Sequence, residues 1–497
     1  MTPTLVLTVI FVYFGALLLI SYITGKNADS NDFFNASRNA PWYLIAFGMI
    51  GTSLSGVTFI SVPGKVGLFN DTTGQVPAFS YFQLILGNLV GYFVIATVLM
   101  PLYYRLNLIS IYTYLDTRLG FWSYKTGAFF FLLSRTIGSA LRLFLAALVL
   151  HIFLFSQYGI SFAFTVTVTI ILIWTYTFKG GIKTIVWTDT FQTFFLVSAV
   201  IISVFVISSH LDLSLSEMVS TVADSKLSQI FFWDVKDNKY FFKQFIAGVF
   251  LAIVMTGLDQ DLMQKNLSCR NIGEAQKNMF WFCISFFIVN LLFLTLGALL
   301  YIYSESRGLS LPGNSDELFP RLALTEFGVL AGIFFLLGVI ASSYASSDSA
   351  LAALTTSFCI DFLDFKNKSE KVKQTQKFYV HIGFSLLFLV VIILFKIWNK
   401  QSVIDAVLSM AAFTYGPLLG LFSFGILTQR VVKDRFVPFV CILAPILTWV
   451  INENSTSWFW GYRFSFEILI INGLITFAGL WLISTNKSKL EQTVVTT

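Results

Sequence analysis

The residues in this chain whose types and spacing could do chemistry lie inside apolar runs. Ala341 to Asp361 reads ASSYASSDSALAALTTSFCID. At about 100° per residue, Ser342, Ala345, Ser346 and Ser349 fall on one helix face, with Asp348 beside it. Hydroxyl and carbonyl oxygens stacked in this way suit a dehydrated hard cation such as sodium. The same small side chains would also suit a close helix–helix seam. Asp348 weighs toward the cation, because an intramembrane carboxylate points to function. A second acid, Asp189, follows Gly180 and Gly181 in FKGGIKTIVWTDTFQ and enters the next span about one turn in. Cation ligation and capping of the helix N-terminus are both open to it. Arg135 and Arg142 are seven apart and share a face at two depths. One Arg in a span can snorkel, whereas two on one face suggest a polar cavity or an anionic partner. Thr136 to His151 contains no acid, so the partner of Arg142 must come from another helix or from a ligand. A planar carboxylate would satisfy its fork with two charge-assisted hydrogen bonds.

Other chemistries lack their residues. The four cysteines, Cys269, Cys283, Cys359 and Cys441, show no CxxC spacing, and the three histidines are far apart, so a zinc or haem site is not expected. There is no catalytic dyad and no sizeable catalytic loop, which speaks against a membrane enzyme. A channel would need a continuous pore, and a sensor would usually need a soluble output domain, which is missing. The net charge of +6 fits basic cytoplasmic loops rather than nucleic-acid binding.

Holding these groups at membrane depth requires long apolar elements. The 497 residues are 56% hydrophobic and 12% charged, about half the charged share of a soluble protein. The expected fold is an all-α polytopic membrane protein in the lipid bilayer. It has about thirteen transmembrane helices, at 3–24, 41–67, 76–103, 123–155, 160–178, 186–209, 241–265, 276–304, 322–362, 377–397, 401–428, 436–452 and 466–485. The first run has no basic region before it and no small-residue cleavage site after it, and reads as a retained helix. Twenty of the 32 basic residues gather in alternate connections. That side should be cytoplasmic, with the N-terminus outside and the C-terminus inside. His210 to Lys243 is expected outside, with a short interfacial helix near Trp233 and Tyr240, and Asp364 to Lys377 as a basic cytoplasmic loop.

Two spans look interrupted. In Phe47 to Gly64, FGMIGTSLSGVTFISVPG, Gly48, Gly51 and Gly56 each weaken a helix by roughly 1 kcal/mol relative to Ala, and the hydroxyls compete for backbone groups. About 200 residues later, GVFLAIVMTGLDQD runs from Gly248 to Asp261. Either stretch could be a kinked helix. Paired in two halves, they point to an inverted-repeat transporter whose freed backbone lines a site.

Several segments carry a family resemblance: FNASRNAPWYLIAFGMIGTSLSGVTFISVPG, LISIYTYLDTRLG, YTFKGGIKTIVWTDTFQT, TGLDQDLMQKNLSCRNIGEAQKN and SSDSALAALTTSFCIDF. With them the chain resembles, over nearly its whole length, the sodium/solute symporters that include the sodium/galactose, sodium/proline, sodium/iodide and sialic acid carriers. The resemblance implies a five-plus-five inverted-repeat, LeuT-like core with broken first and sixth core helices. The expected division is 1–40 leading helix and loop, 41–209 first repeat, 210–240 linker, 241–428 second repeat, and 429–497 two trailing helices and tail. It implies a sodium site with carbonyls of Gly51, Leu54 and Ser342 and the hydroxyl of Ser346. Many relatives carry a second hydroxyl where this chain has Ala345. A second sodium would fall to Asp189 with hydroxyls near Ser346 and Ser349, and with Asp348 beside them. Ser53, Ser55 and Thr58 align with substrate positions of the first core helix. Arg142 lies near a carboxylate-binding arginine of the sialic acid carriers. Gln83, Asp259 and Gln260 complete the expected substrate set. The expectation is a sodium-coupled symporter of the plasma membrane, working as a monomer by alternating access, with no cofactor besides the coupling ion. Its solute is an organic anion such as a sugar acid or carboxylate, with a neutral sugar or amino acid as the alternative.

Overall fold

The computed structural model describes residues 3–26, 40–67, 77–177, 181–365, 368–398 and 402–486. Gly180 of the expected turn, and the basic residues Arg38, Lys179, Lys366, Lys487 and Lys489, lie outside the described residues. The principal helices are α1 (Pro3–Gly25), α2 (Trp42–Ser53), α3 (Gly56–Lys65), α4 (Tyr81–Arg105), α5 (Phe121–Leu150), α6 (Phe162–Thr177), α7 (Gly181–His210), α8 (Phe241–Gly257), α9 (Gln260–Asn266), α10 (Ile272–Ser306), α11 (Gly328–Phe362), α12 (Glu370–Trp398), α13 (Val403–Thr414), α14 (Gly416–Leu427), α15 (Val437–Glu453) and α16 (Ile468–Leu482). Among them α1, α4, α5, α7, α10, α11, α12 and α15 are long and apolar enough to cross a membrane singly. Three pairs qualify only together and bend at a short break: α2–α3 by 56°, α8–α9 by 69° and α13–α14 by 44°. α6 and α16 are apolar but shorter.

Each break has a local cause. Leu54 leaves the helical region at φ −88° and ψ 64°, directly after the Gly48–Gly51 stretch, and ends α2. A helix end leaves its last carbonyls without intrahelical partners, so this break puts free acceptors inside the bundle. At the second break Asp259 is extended, and its carboxylate caps α9 by accepting from the Asp261 amide at 2.9 Å. The third break was not expected, since 401–428 reads as one apolar run. Pro417 lacks the amide that would continue the ladder.

Packing then assembles the bundle. α11 lies against α2, α3, α5 and α7, and α4 lies along α8. The α4–α8 seam depends on missing side chains. A Cβ on Gly248 would stand 2.1 Å from the Leu84 carbonyl oxygen. Small residues allow this approach where no aqueous hydrophobic effect drives helices together.

Several boundaries differ from the sequence reading. The stretch 322–362 is not one helix: Leu318–Thr325 is separate, and α11 begins at Gly328, whose φ of +83° turns the chain. In the 210–240 linker the helix is Leu215–Ala223, started by a Ser214/Glu217 capping box, while Trp233 lies outside any helix and Tyr240 precedes α8. Most of the expected 364–377 loop is helical, because α12 starts at Glu370. One antiparallel pair, β1 (Val431–Val432) with β2 (Ser484–Thr485), ties the segment after α14 to the end of α16. Beside it Asp434 reaches back to the start of α5. Its carboxylate accepts from the amides of Trp122 and Ser123 at 2.7 and 2.8 Å and from the Ser123 hydroxyl at 2.6 Å.

Candidate functional site

The two leading breaks and α4, α5 and α13 enclose a cavity of about 100 Å³. The first break contributes Ser53, Ser55 and Thr58, and the end of α8 contributes Met255 and Thr256. Tyr81, Asn88 and Tyr92 come from α4, and Ile404, Val407 and Leu408 from α13. Both arginines of α5 reach this cavity.

The two guanidiniums have different surroundings. Arg135 is buried and bonded to the Asp261 carboxylate, and its Nη1 lies 3.8 Å from Asp259 Oδ2. The same Asp259 oxygen accepts from the Tyr415 hydroxyl at 2.5 Å. The other Asp261 oxygen accepts from the Ser349 hydroxyl. Arg135 is thereby neutralised within the protein. Arg142 is also buried, yet among the described residues it has no hydrogen bond and no ion pair. Ser53 Oγ in the same cavity is a buried group without a partner.

Beside the cavity, the first break faces α11. A Cβ on Gly56 would lie 2.0 Å from Ser343 Oγ and 3.6 Å from Ser342 Oγ, so glycine is what lets the broken helix seat against α11. The Gly51 amide is held by Thr193 Oγ1 at 3.1 Å. Ser342 and Ser346 hydroxyls donate to Val339 and Ser343 carbonyls of their own helix at 3.1 and 3.0 Å, which leaves their oxygen lone pairs for a cation. Ala345 on the same face is fully buried and offers no side-chain oxygen. Of the expected sodium ligands, Ser342 lies beside the first break at Gly56, and Gly51 is set against Thr193 of α7.

The rest of the expected set is dispersed. Asp189 is engaged by Lys265, whose Nζ lies 2.5 Å from its Oδ2 and 2.5 Å from Thr52 Oγ1. Asp348 accepts from the Tyr176 hydroxyl at 2.8 Å and the Ser349 amide at 2.5 Å. Ser349 donates its hydroxyl to Asp261 and not to the stripe. Gln83 bonds the carbonyls of Ser80 and Lys239 and the amide of Phe232, and does not line the cavity. Gln260 is used up on Ile109 and Ile111 of the loop before α5, and Asp259 on Arg135 and Tyr415, so neither lines the cavity. Gln83 and Gln260 thus bond backbone groups of neighbouring loops, and Asp259 bonds side chains of α5 and of the third break.

Sequence reasoning missed Lys265 and the cavity tyrosines Tyr81 and Tyr92. An unpaired acid at Asp189 together with a lysine ending an interrupted span was the available signal for the first. Aromatic residues in an apolar run gave none for the second.

A family model, that of the sodium:solute symporter family, matches residues 33–434. The chain belongs to this family. The symporter is 25% identical to the sodium/sialic acid symporter NanT of Aliivibrio fischeri over 477 residues, covering 94% of this chain and 92% of that protein. It is 26% identical to sodium-coupled monocarboxylate transporter 1 of Mus musculus, covering 84% of this chain and 69% of that one. A solved structure of a sodium-coupled sialic acid symporter, in a substrate-bound outward-open state, superposes with a TM-score of 0.80 at 21% identity, covering 96% and 97% of the two chains. The symporter thus has the LeuT-like fold, is a multi-pass membrane transporter rather than an enzyme, and uses sodium as its coupling ion.

Proposed function

We propose that this symporter carries an organic anion with one carboxylate, and that Arg142 receives that carboxylate. The observation that carries the reading is the buried Arg142 guanidinium, which lines the cavity with no acid among the described residues bonded to it. A buried guanidinium keeps its proton and needs an anion. Ser53, Ser55 and Thr58 at the first break would supply further donors to the bound solute. The remaining wall is largely apolar, which suits a compact carboxylate or a sugar acid with one apolar side. The names of the relatives, sialic acid and monocarboxylate carriers, support an acid over a neutral sugar or amino acid.

Sodium would sit where the first break meets α11, held by carbonyls of Gly51, Leu54 and Ser342 and by the Ser346 hydroxyl. Asp348 would add a nearby negative charge, and Ala345 would leave the site one side-chain ligand short. The cation fills the space between a broken helix and an intact one, so its binding would set the shape of the break that contacts the solute. This is how sodium and solute would become coupled without touching. In this reading the chain works as a monomer in the plasma membrane, N-terminus outside and C-terminus inside. Residues 41–209 and 241–428 form its two repeats.

Uptake into proteoliposomes, with a panel of carboxylates, sugar acids, neutral sugars and amino acids, tests the reading. An inward sodium gradient should drive uptake of at least one acid, and potassium or choline should not. Arg142→Gln should lower affinity for that acid at least tenfold, and Arg142→Lys should lower it less. Transport of neutral solutes only, unchanged in Arg142→Gln, would refute the anion.

A further inference from the structure

We propose that the Lys265 ammonium is a tethered, resident cation at Asp189, so that Asp189 takes no sodium and the symporter binds one sodium ion per cycle. The inference rests on the sodium site proposed above and deepens it.

The geometry is a closed triangle. Lys265 Nζ lies 2.5 Å from Asp189 Oδ2 and 2.5 Å from Thr52 Oγ1, and the Thr52 hydroxyl donates to the same carboxylate oxygen at 3.0 Å. The Lys265 and Asp189 side chains are 2% and 1% exposed, so water does not screen the pair. A monovalent cation arriving at this carboxylate would meet a like charge already seated on it. Displacing the ammonium would require another anion for it inside the protein. Lys265 has little room to leave, since it sits on α9, in which every residue is buried.

One more of the ligands expected for a second ion is also committed. The Ser349 hydroxyl belongs to Asp261, which also holds Arg135. Asp348 is different. Its oxygens accept from the Tyr176 hydroxyl and the Ser349 amide, and among the described residues no lysine or arginine pairs with it. Of the two acids that the sequence put beside the hydroxyl stripe, one therefore already has its cation and the other does not. One vacancy of charge next to one set of free oxygens calls for one sodium.

The triangle also has mechanical reach. Thr52 lies in the last turn of α2, Lys265 lies on α9 and Asp189 lies on α7, so the ammonium joins the second half of one broken span to the first half of the other. A mobile sodium at this point would release that tie in every cycle, whereas a lysine keeps it within the chain.

Equilibrium binding of radioactive sodium to the purified full-length protein, counted per chain at saturation, tests this. The wild type should bind one ion. Lys265→Gln should bind two, because it bares the Asp189 carboxylate. The neutral pair Lys265→Gln/Asp189→Asn should return to one, and it keeps the test decisive if the single variant does not fold. Two ions on the wild type, falling to one in Asp189→Asn, would overturn the inference, as would a count in the neutral pair below that of the wild type. A wild type that binds no sodium would overturn the proposed sodium site itself, and this inference with it.

Discussion

Arg135 and Arg142 share a helix face, yet they carry opposite obligations. Arg135 compensates two buried acids, Asp259 and Asp261. Removing one partner of a buried pair leaves an uncompensated charge, at a cost of about 3–5 kcal/mol. Arg135→Gln should therefore lower the thermal unfolding temperature in detergent markedly, or abolish expression. Arg142→Gln removes a charge that no acid among the described residues pairs with, and should unfold within a few degrees of wild type while losing the proposed acid substrate. Equal destabilisation by both would show that Arg142 has a structural partner. The sequence revealed Arg142 because no acid lies near it along the span. It could not reveal Lys265 in the same way, because its partner is 76 residues distant and only folding brings them together. The same limit applies to Ser349. Its position on the stripe was legible, but the Asp261 oxygen that claims its hydroxyl was not.

At the scale of elements, two of the three breaks were legible, because glycines and hydroxyls crowded where a continuous helix would have been weak. The third, at Tyr415, was hidden in an apolar run with a single proline. Its consequence is chemical as well as geometric, since the bend places the Tyr415 hydroxyl on Asp259 and so joins the second and third breaks. The glycines away from the breaks had a meaning that periodicity did not give. Gly248 marks where α8 meets the backbone of α4, with no room for a methyl group against the Leu84 carbonyl. Gly248→Ala should cost about 1–3 kcal/mol by overpacking, read as a lower unfolding temperature. Gly308→Ala, at an open turn with nothing within 4 Å of a new Cβ, tests a different constraint: its φ of +63° makes it the backbone-strain control.

For the whole molecule, hydropathy located the apolar runs, since backbone groups inside lipid must be paired within a helix. It said nothing of how the runs are fastened to one another, and the fastening of α5 is an instance. The carboxylate that caps its first turn belongs to Asp434, more than three hundred residues later in the chain. Arg118 is fastened to the same region, through the carbonyls of Gly425, Thr428 and Arg430. The helix that carries both arginines is thus moored from the far end of the sequence. Any tilt of α5 pulls on the segment after α14, and through the β1–β2 pair on the end of α16. Losing a helix cap costs about 0.5–2 kcal/mol, so Asp434→Ala should fold, bind sodium as wild type does, and turn over more slowly in uptake. The segment after α14 would then act as ballast on the helix that carries Arg142, setting how fast it swings and leaving what it binds unchanged.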